Sequence, residues 1–265
     1  MELSLVMSIG CDDYGNKIYR DVEPAVPTPE KKRTEYCLFT LREAFKHIDY
    51  ELIIVEWLGN ETGERPSEWK FIKDERTRII TVPYAFTSKI CPERPFHETH
   101  AKNIGIRRAR GDMILSINND CLWLDEFPKE CLKCDGVMIA NRPTVYHTVL
   151  EYDLDIQALR NYCSKAENVV HVEDWNSNGD FTLMHKGLWF KLQGLSTPRG
   201  DVLAGVDIQT IVRAEQLTGK RRYIYPYNVV HQRHPGAPLS SGYNIIDISP
   251  DWGFPNEEFK VASFI

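Results

Sequence analysis

The chain has 265 residues, with 32 Lys and Arg against 38 Asp and Glu, for a formal charge of −6. Apolar residues at 42% and charged residues at 26% describe an ordinary globular composition and exclude long disorder or a fibrous repeat. The mild acidity argues against nucleic acid as a partner, since phosphate affinity there needs clustered Lys and Arg, but not against a small phosphorylated ligand held at a local site.

Met1 to Val6 carries no basic region and passes straight into the apolar run Leu3–Ile9. This reads as a buried strand ending at Gly10, not as a secretory signal. No apolar run reaches the roughly 18 residues of a membrane helix; a cytoplasmic protein is expected, with peripheral membrane contact left open. Asp12, Asp13, Gly15 and Asn16 supply turn chemistry, and Pro24, Pro27 and Pro29 mark a loop. Thr28-Pro29-Glu30 starts a helix, with Leu38, Leu41, Phe45 and Ile48 at helical spacing. Glu51–Glu56 and Arg78–Val82 read as strands, residues 97–110 as a helix closed by Gly111, and Met113–Ile117 as a further strand running into Asn118-Asn119-Asp120. Strands alternating with helices predict an α/β fold with a mostly parallel central sheet flanked by helices. Ligands bind such sheets beyond the carboxyl ends of the strands, where Asp12/Asp13, Glu56–Asn60 and Asn118–Asp120 fall.

The second half is less regular. Cys131-x-x-Cys134 is the one close pair among seven cysteines; with only Cys121 and Cys163 nearby it reads as free thiols rather than zinc. Helices are expected over 156–163, 186–192 and 207–218, and strands over 181–184 and 223–230. Residues 235–265, with several prolines and aromatics, read as an extended tail wrapping the domain.

The richest stretch is Ala101-Lys-Asn-Ile-Gly-Ile-Arg-Arg-Ala-Arg-Gly-Asp-Met-Ile-Leu-Ser-Ile-Asn-Asn-Asp120. It resembles the sugar-nucleotide glycosyltransferases of the GT-A fold, family 2 in particular, whose pattern here is A-[RK]-N-x-G, A-x-G-[DE], an apolar strand and D-x-D. Ala101, Lys102, Asn103, Gly105, Ala109, Gly111 and Asp112 match in register. The resemblance implies a Rossmann-like GT-A domain over 1–235, with a nucleotide-sugar half at about 1–120, an acceptor half at about 121–235, and a C-terminal extension, 236–265, packed on it.

It also implies roles. Asp120 matches the last acid of D-x-D and is the expected ligand of Mn²⁺ or Mg²⁺, hard ions that need oxygen donors. Asn118 replaces the first acid and can hydrogen-bond a ribose; Asn119 lies between them. Gly10 and Asp12 match the loop cradling the nucleotide, Asn103 the helix beside it, and Glu56 the acid that reads the base. Gly179-Asp180 resembles the acceptor-side segment, where Trp175 can stack on a sugar, as can Trp189 or Tyr227. Asp207 matches the general base that takes the acceptor's proton in inverting enzymes, with Asp201 and Asp180 as substitutes. His231 and then His234 match the histidine that completes the metal site. Arg233 and Lys220–Arg222 can neutralise diphosphate. The implied activity is transfer from a nucleoside-diphosphate sugar, UDP-linked by prior, to a hydroxyl of a glycan, glycolipid or glycoprotein. A retaining transferase and a non-catalytic binding protein of the same fold are the alternatives.

Overall fold

Eight successive buried residues, Leu3–Gly10, form β1, and a second buried run of eight, Tyr50–Trp57, forms β2. Strands covered on both faces lose the polar alternation of a half-exposed sheet, which is why both read as near-continuous apolar runs. The computed structural model describes residues 1–10, 30–62, 65–92, 96–145, 154–165, 168–171, 180–198, 206–232, 246–247 and 251–264. Among the predicted site residues, Asp12, Trp175, Gly179, Asp201, Arg233 and His234 lie outside these.

The first half continues with α1 (Glu30–Ala44), β3 (Thr77–Val82), α2 (Tyr84–Ile90), α3 (Glu98–Arg107) and β4 (Met113–Ile117). The strands pair in the order β3-β2-β1-β4, all parallel. The sheet reverses its direction of growth at β1, so the carboxyl ends of β1 and β4 flank a topological switch point. Odd-numbered residues of β1 (Leu3, Leu5, Met7, Ile9) join α1's Cys37, Leu38 and Leu41, and Phe45 just beyond the helix, in one core. Val6, from the opposite face, joins α3's Ala101 and Ile104 in a second.

Alanine-sized contacts decide how closely α3 and its exit pass β1. A side chain at Gly105 would place its Cβ 2.5 Å from Val6 Cγ1, and one at Gly111 would lie 2.5 Å from the backbone of Leu3 and Ser4. Gly111 N–H donates to Ser4 Oγ, which donates to buried Glu51, and Arg78 closes the network on Glu51 at 2.6 Å. Both glycines of the motif thus serve close packing. The helix ends at Arg107 rather than 110, with Arg108 N–H turning back to Gly105 and Ile106.

The second half comprises β5 (Cys121–Trp123), β6 (Val137–Asn141), β7 (Pro143–Val145), α4 (Ile156–Cys163), β8 (Val169–His171), β9 (Phe181–His185), α5 (Lys186–Leu192), β10 (Thr197–Pro198), α6 (Val206–Thr218), β11 (Tyr223–Gln232), β12 (Ile246–Asp247) and β13 (Lys260–Ser263). The parallel block continues through β9, antiparallel to both β4 and β6, and then through β11, parallel to β6 and β7. Antiparallel β13 covers the outer edge of β3, so a strand formed by the C-terminal segment protects an otherwise open edge. Trp252 belongs to the second core, and the Arg108 guanidinium donates to the carbonyls of Gly253, Phe254 and Glu257. The last long strand extends through Gln232, two residues beyond the predicted end, so His231 lies within it rather than in a following loop.

Candidate functional site

Register brings the site together. Ile117, the last residue of β4, faces Phe181, the first of antiparallel β9, so Asn118 and Asp180 meet although 62 residues apart. Asn118 Nδ2 donates to Asp180 Oδ1 at 2.6 Å. The other oxygen of Asp180 lies 2.6 Å from Arg142 Nη1, reaching in from the β6–β7 junction. From α3, Lys102 Nζ donates to Asn118 Oδ1 and pairs with Glu98 at 2.6 Å. On β11, His231 aligns with Cys121, which sets its Nε2 3.4 Å from Asp120 Oδ2.

The electrostatics follow from burial. Asp180 is 2% exposed; burial raises its pKa, Arg142 opposes the rise, and Asp120 adds to it. Burial disfavours the charge on Lys102, but Glu98 and then Asp207 outweigh it and hold the pKa above its ordinary value. Asp207, in the first turn of α6, keeps some exposure as a residue while protein surrounds its carboxyl. That burial pushes its pKa up to about 6, against Lys102, with Glu98 and Asp180 contributing to the rise.

The donor set suits a hard divalent ion. Ligand atoms of Asp120, Asp180 and Cys121 lie within 4.8 Å of one another, and His231 adds an imidazole. The Cys121 thiol is pushed well above its usual range by burial and by Asp180 and Asp120, so it stays protonated and leaves the oxygens as donors. In this cluster the carboxylates of Glu98, Asp120, Asp180 and Asp207 lie near Lys102, Arg142 and His231.

Other predicted residues have protein partners. Glu56 is fully buried, accepting from Ser67 N–H and Thr81 Oγ1, both at 2.8 Å, so it ties the turn after β2 to β3. Asn103 bridges α3 to the segment after α5, accepting from Leu195 N–H and donating to Leu195 O. Asn119 donates to Glu30 and Thr34 on α1, each at 3.0 Å. A side chain at Gly10 would meet the Phe96 ring at 3.0 Å. Trp189 is fully buried with its indole N–H on Ile114 O, a core residue rather than a sugar platform; Tyr227 is exposed. Arg222 forks onto Glu215 and Lys220 pairs with Asp135. They precede a ten-residue strand, so about 3.3 Å per residue separates them from His231 by roughly 30 Å. That distance separates them from the cluster around Asp120 and His231.

Lys102 and Arg142 are the site residues that sequence reasoning passed over. Lys102 stood inside the matched motif, between Ala101 and Asn103, with no role assigned to it; Arg142 follows β6, which was not among the predicted strands, and carries no local signal.

No protein-family model matches the chain, and no curated protein matches it either. Among solved structures it is similar to S. aureus TarS residues 1–349, at 11% identity and a TM-score of 0.52 over 88% of this chain and 60% of that one. A second similar structure is a mannosyltransferase from Pyrobaculum calidifontis in complex with GDP-Man and Mn²⁺ (17% identity, TM-score 0.49, 89% of this chain and 58% of that one). The chain thus spans less than two thirds of either. The β3-β2-β1-β4 switch point, the antiparallel β9 beside β4 and the likeness to TarS together establish the GT-A glycosyltransferase fold for this chain.

Proposed function

We propose that this protein transfers a glycosyl group from a nucleoside-diphosphate sugar to an acceptor hydroxyl, with inversion, in a single GT-A domain. The observation that carries the reading is the convergence at the carboxyl end of β4: Asp120, Asp180 and Asn118 meet Lys102 there, and Lys102 couples to Asp207. Asp207 accepts the acceptor's hydroxyl proton as that oxygen attacks the anomeric carbon, while the bond from this carbon to the diphosphate oxygen breaks and its electron pair leaves with the diphosphate. A base with a pKa near 6 is ionised at neutral pH, yet basic enough to take that proton. Asp120 and Asp180, with His231, would hold Mn²⁺ or Mg²⁺, which when bound supplies Lewis-acid stabilisation of the departing diphosphate. Arg142 and Asn118 keep Asp180 in place, and Lys102 orients Asn118.

The test combines nucleotide-sugar binding with release of nucleoside diphosphate, measured on the full chain with Mn²⁺ and with EDTA. Wild-type protein binds one donor class in a Mn²⁺-dependent way, UDP-sugars being tried first. Asp120→Ala loses that dependence, and Asp207→Asn binds donor but turns over about 10²–10⁴ times more slowly. Donor binding unaffected by EDTA, or normal turnover by Asp207→Asn, defeats the metal or the base assignment respectively.

A further inference from the structure

A second cluster lies outside this site, where α2 hands over to α3. Cys91 caps the end of α2, His97 caps the start of α3, and His100 follows three residues later. Residues three apart share a helix face, and the two imidazole rings sit 4.2 Å apart between centroids. Ligand atoms of Cys91, His97 and His100 all lie within 4.8 Å of one another. Thr99 Oγ1 contacts His97 Nδ1 at 3.1 Å, the kind of outer contact that orients a ligating ring. Trp57 lies parallel to His100 at 6.3 Å and Phe254 is tilted 46° to it at 5.4 Å, walling His100 with apolar surface.

We propose that Cys91, His97 and His100 form a zinc site. One sulfur and two imidazole nitrogens are softer donors than the carboxylates at Asp120 and Asp180, so the two clusters select different ions: Zn²⁺ here, Mn²⁺ or Mg²⁺ there. Three protein ligands leave one tetrahedral position for water or a further donor. Binding displaces the Cys91 thiol proton to solvent and changes no oxidation state. The site fixes the start of α3, the helix that carries Lys102, and Phe96 beside His97 packs on Gly10. Zinc would therefore hold Phe96 in place against the carboxyl end of β1.

Chelator-stripped full-length chain, titrated with Co²⁺ and then Zn²⁺, tests this. The expected result is tetrahedral Co²⁺ absorption with a thiolate-to-cobalt charge-transfer band, saturating at one ion per chain and bleached by Zn²⁺. Cys91→Ser loses the charge-transfer band, His100→Gln weakens Zn²⁺ binding at least about tenfold, and Asp120→Asn leaves the band in place. Absence of the band in wild-type protein overturns the proposal, as does its full persistence in folded Cys91→Ser. X-ray absorption of the zinc-loaded wild-type chain requires no variant. It should show one sulfur and two imidazoles; a shell of oxygens alone, or of several sulfurs, overturns the site.

Discussion

Asp207 sits in the first turn of α6, where the helix's positive end favours a carboxylate, yet its pKa rises to about 6 because burial outweighs Lys102 and Arg142. If it is the base, the turnover rate climbs about tenfold per pH unit below pH 6 and levels above it; a flat pH profile in the wild-type chain would contradict this. The same shift acts on stability. The folded state holds this proton more tightly than an unfolded Asp with a pKa of about 3.9, so the stabilisation is fully present below that value and is lost as pH rises through about 6. Asp207→Asn should accordingly melt about 2–4 °C higher than wild type near neutral pH, with the gap narrowing under acid. Arg142 gives the opposite case. Removing its charge leaves Asp180 buried and uncompensated, so Arg142→Met should cost about 2–3 kcal/mol by denaturant titration; an unchanged midpoint would mean that Asn118 alone satisfies Asp180. The Asp120, Asn118 and Asp207 positions were visible in the sequence because each ends or opens a recognisable element. Glu56 and Asn103 were visible too, but their protein partners were not: Ser67, Thr81 and Leu195 lie 11, 25 and 92 residues away.

At the scale of elements, α3 and its exit turn pack on β1, and two glycines set their distance from it. Alanine at Gly105 meets side-chain methyls only, Val6 Cγ1 at 2.5 Å and Val55 Cγ2 at 3.1 Å, and gains helix propensity of about 1 kcal/mol, which offsets part of an overpacking cost of about 1–3 kcal/mol. Alanine at Gly111 meets backbone on both Leu3 and Ser4, which cannot swing aside, and no helix gain compensates. Gly111→Ala should therefore be the more damaging by urea midpoint, and the reverse order would sink this packing account. Elements with long apolar runs or clear helical spacing, such as β1, β2, β4, β9, α5 and α6, were legible to within one or two residues. The strands β5, β7 and β8 were not. Three residues carry too little periodicity, and each is a strand only because β11 or β7 offers hydrogen-bond partners.

Across the whole molecule, the C-terminal segment joins the first half of the sheet. β13 pairs with β3, and Arg108 gathers three carbonyls of residues 253–257 while its guanidinium faces the Phe259 ring at 5.0 Å. Arg108→Ala should speed amide exchange across 251–263 while leaving β1 and β2 protected; uniform loss of protection would show that the segment is part of the global unfolding unit. The sequence alone determined the order of the main elements, the α/β class and the place of the Asn118–Asp120 cluster. Those are local properties, written in apolar periodicity, turn residues and one dense motif. Only the tertiary structure decided which distant side chains share the site. An antiparallel β9 beside β4 brings Asp180 to Asn118, and β11 against β5 brings His231 to Asp120, whereas the length of the same strand carries Lys220–Arg222 away. Strand order and register are set by long-range pairing, and no run of neighbouring residues encodes them.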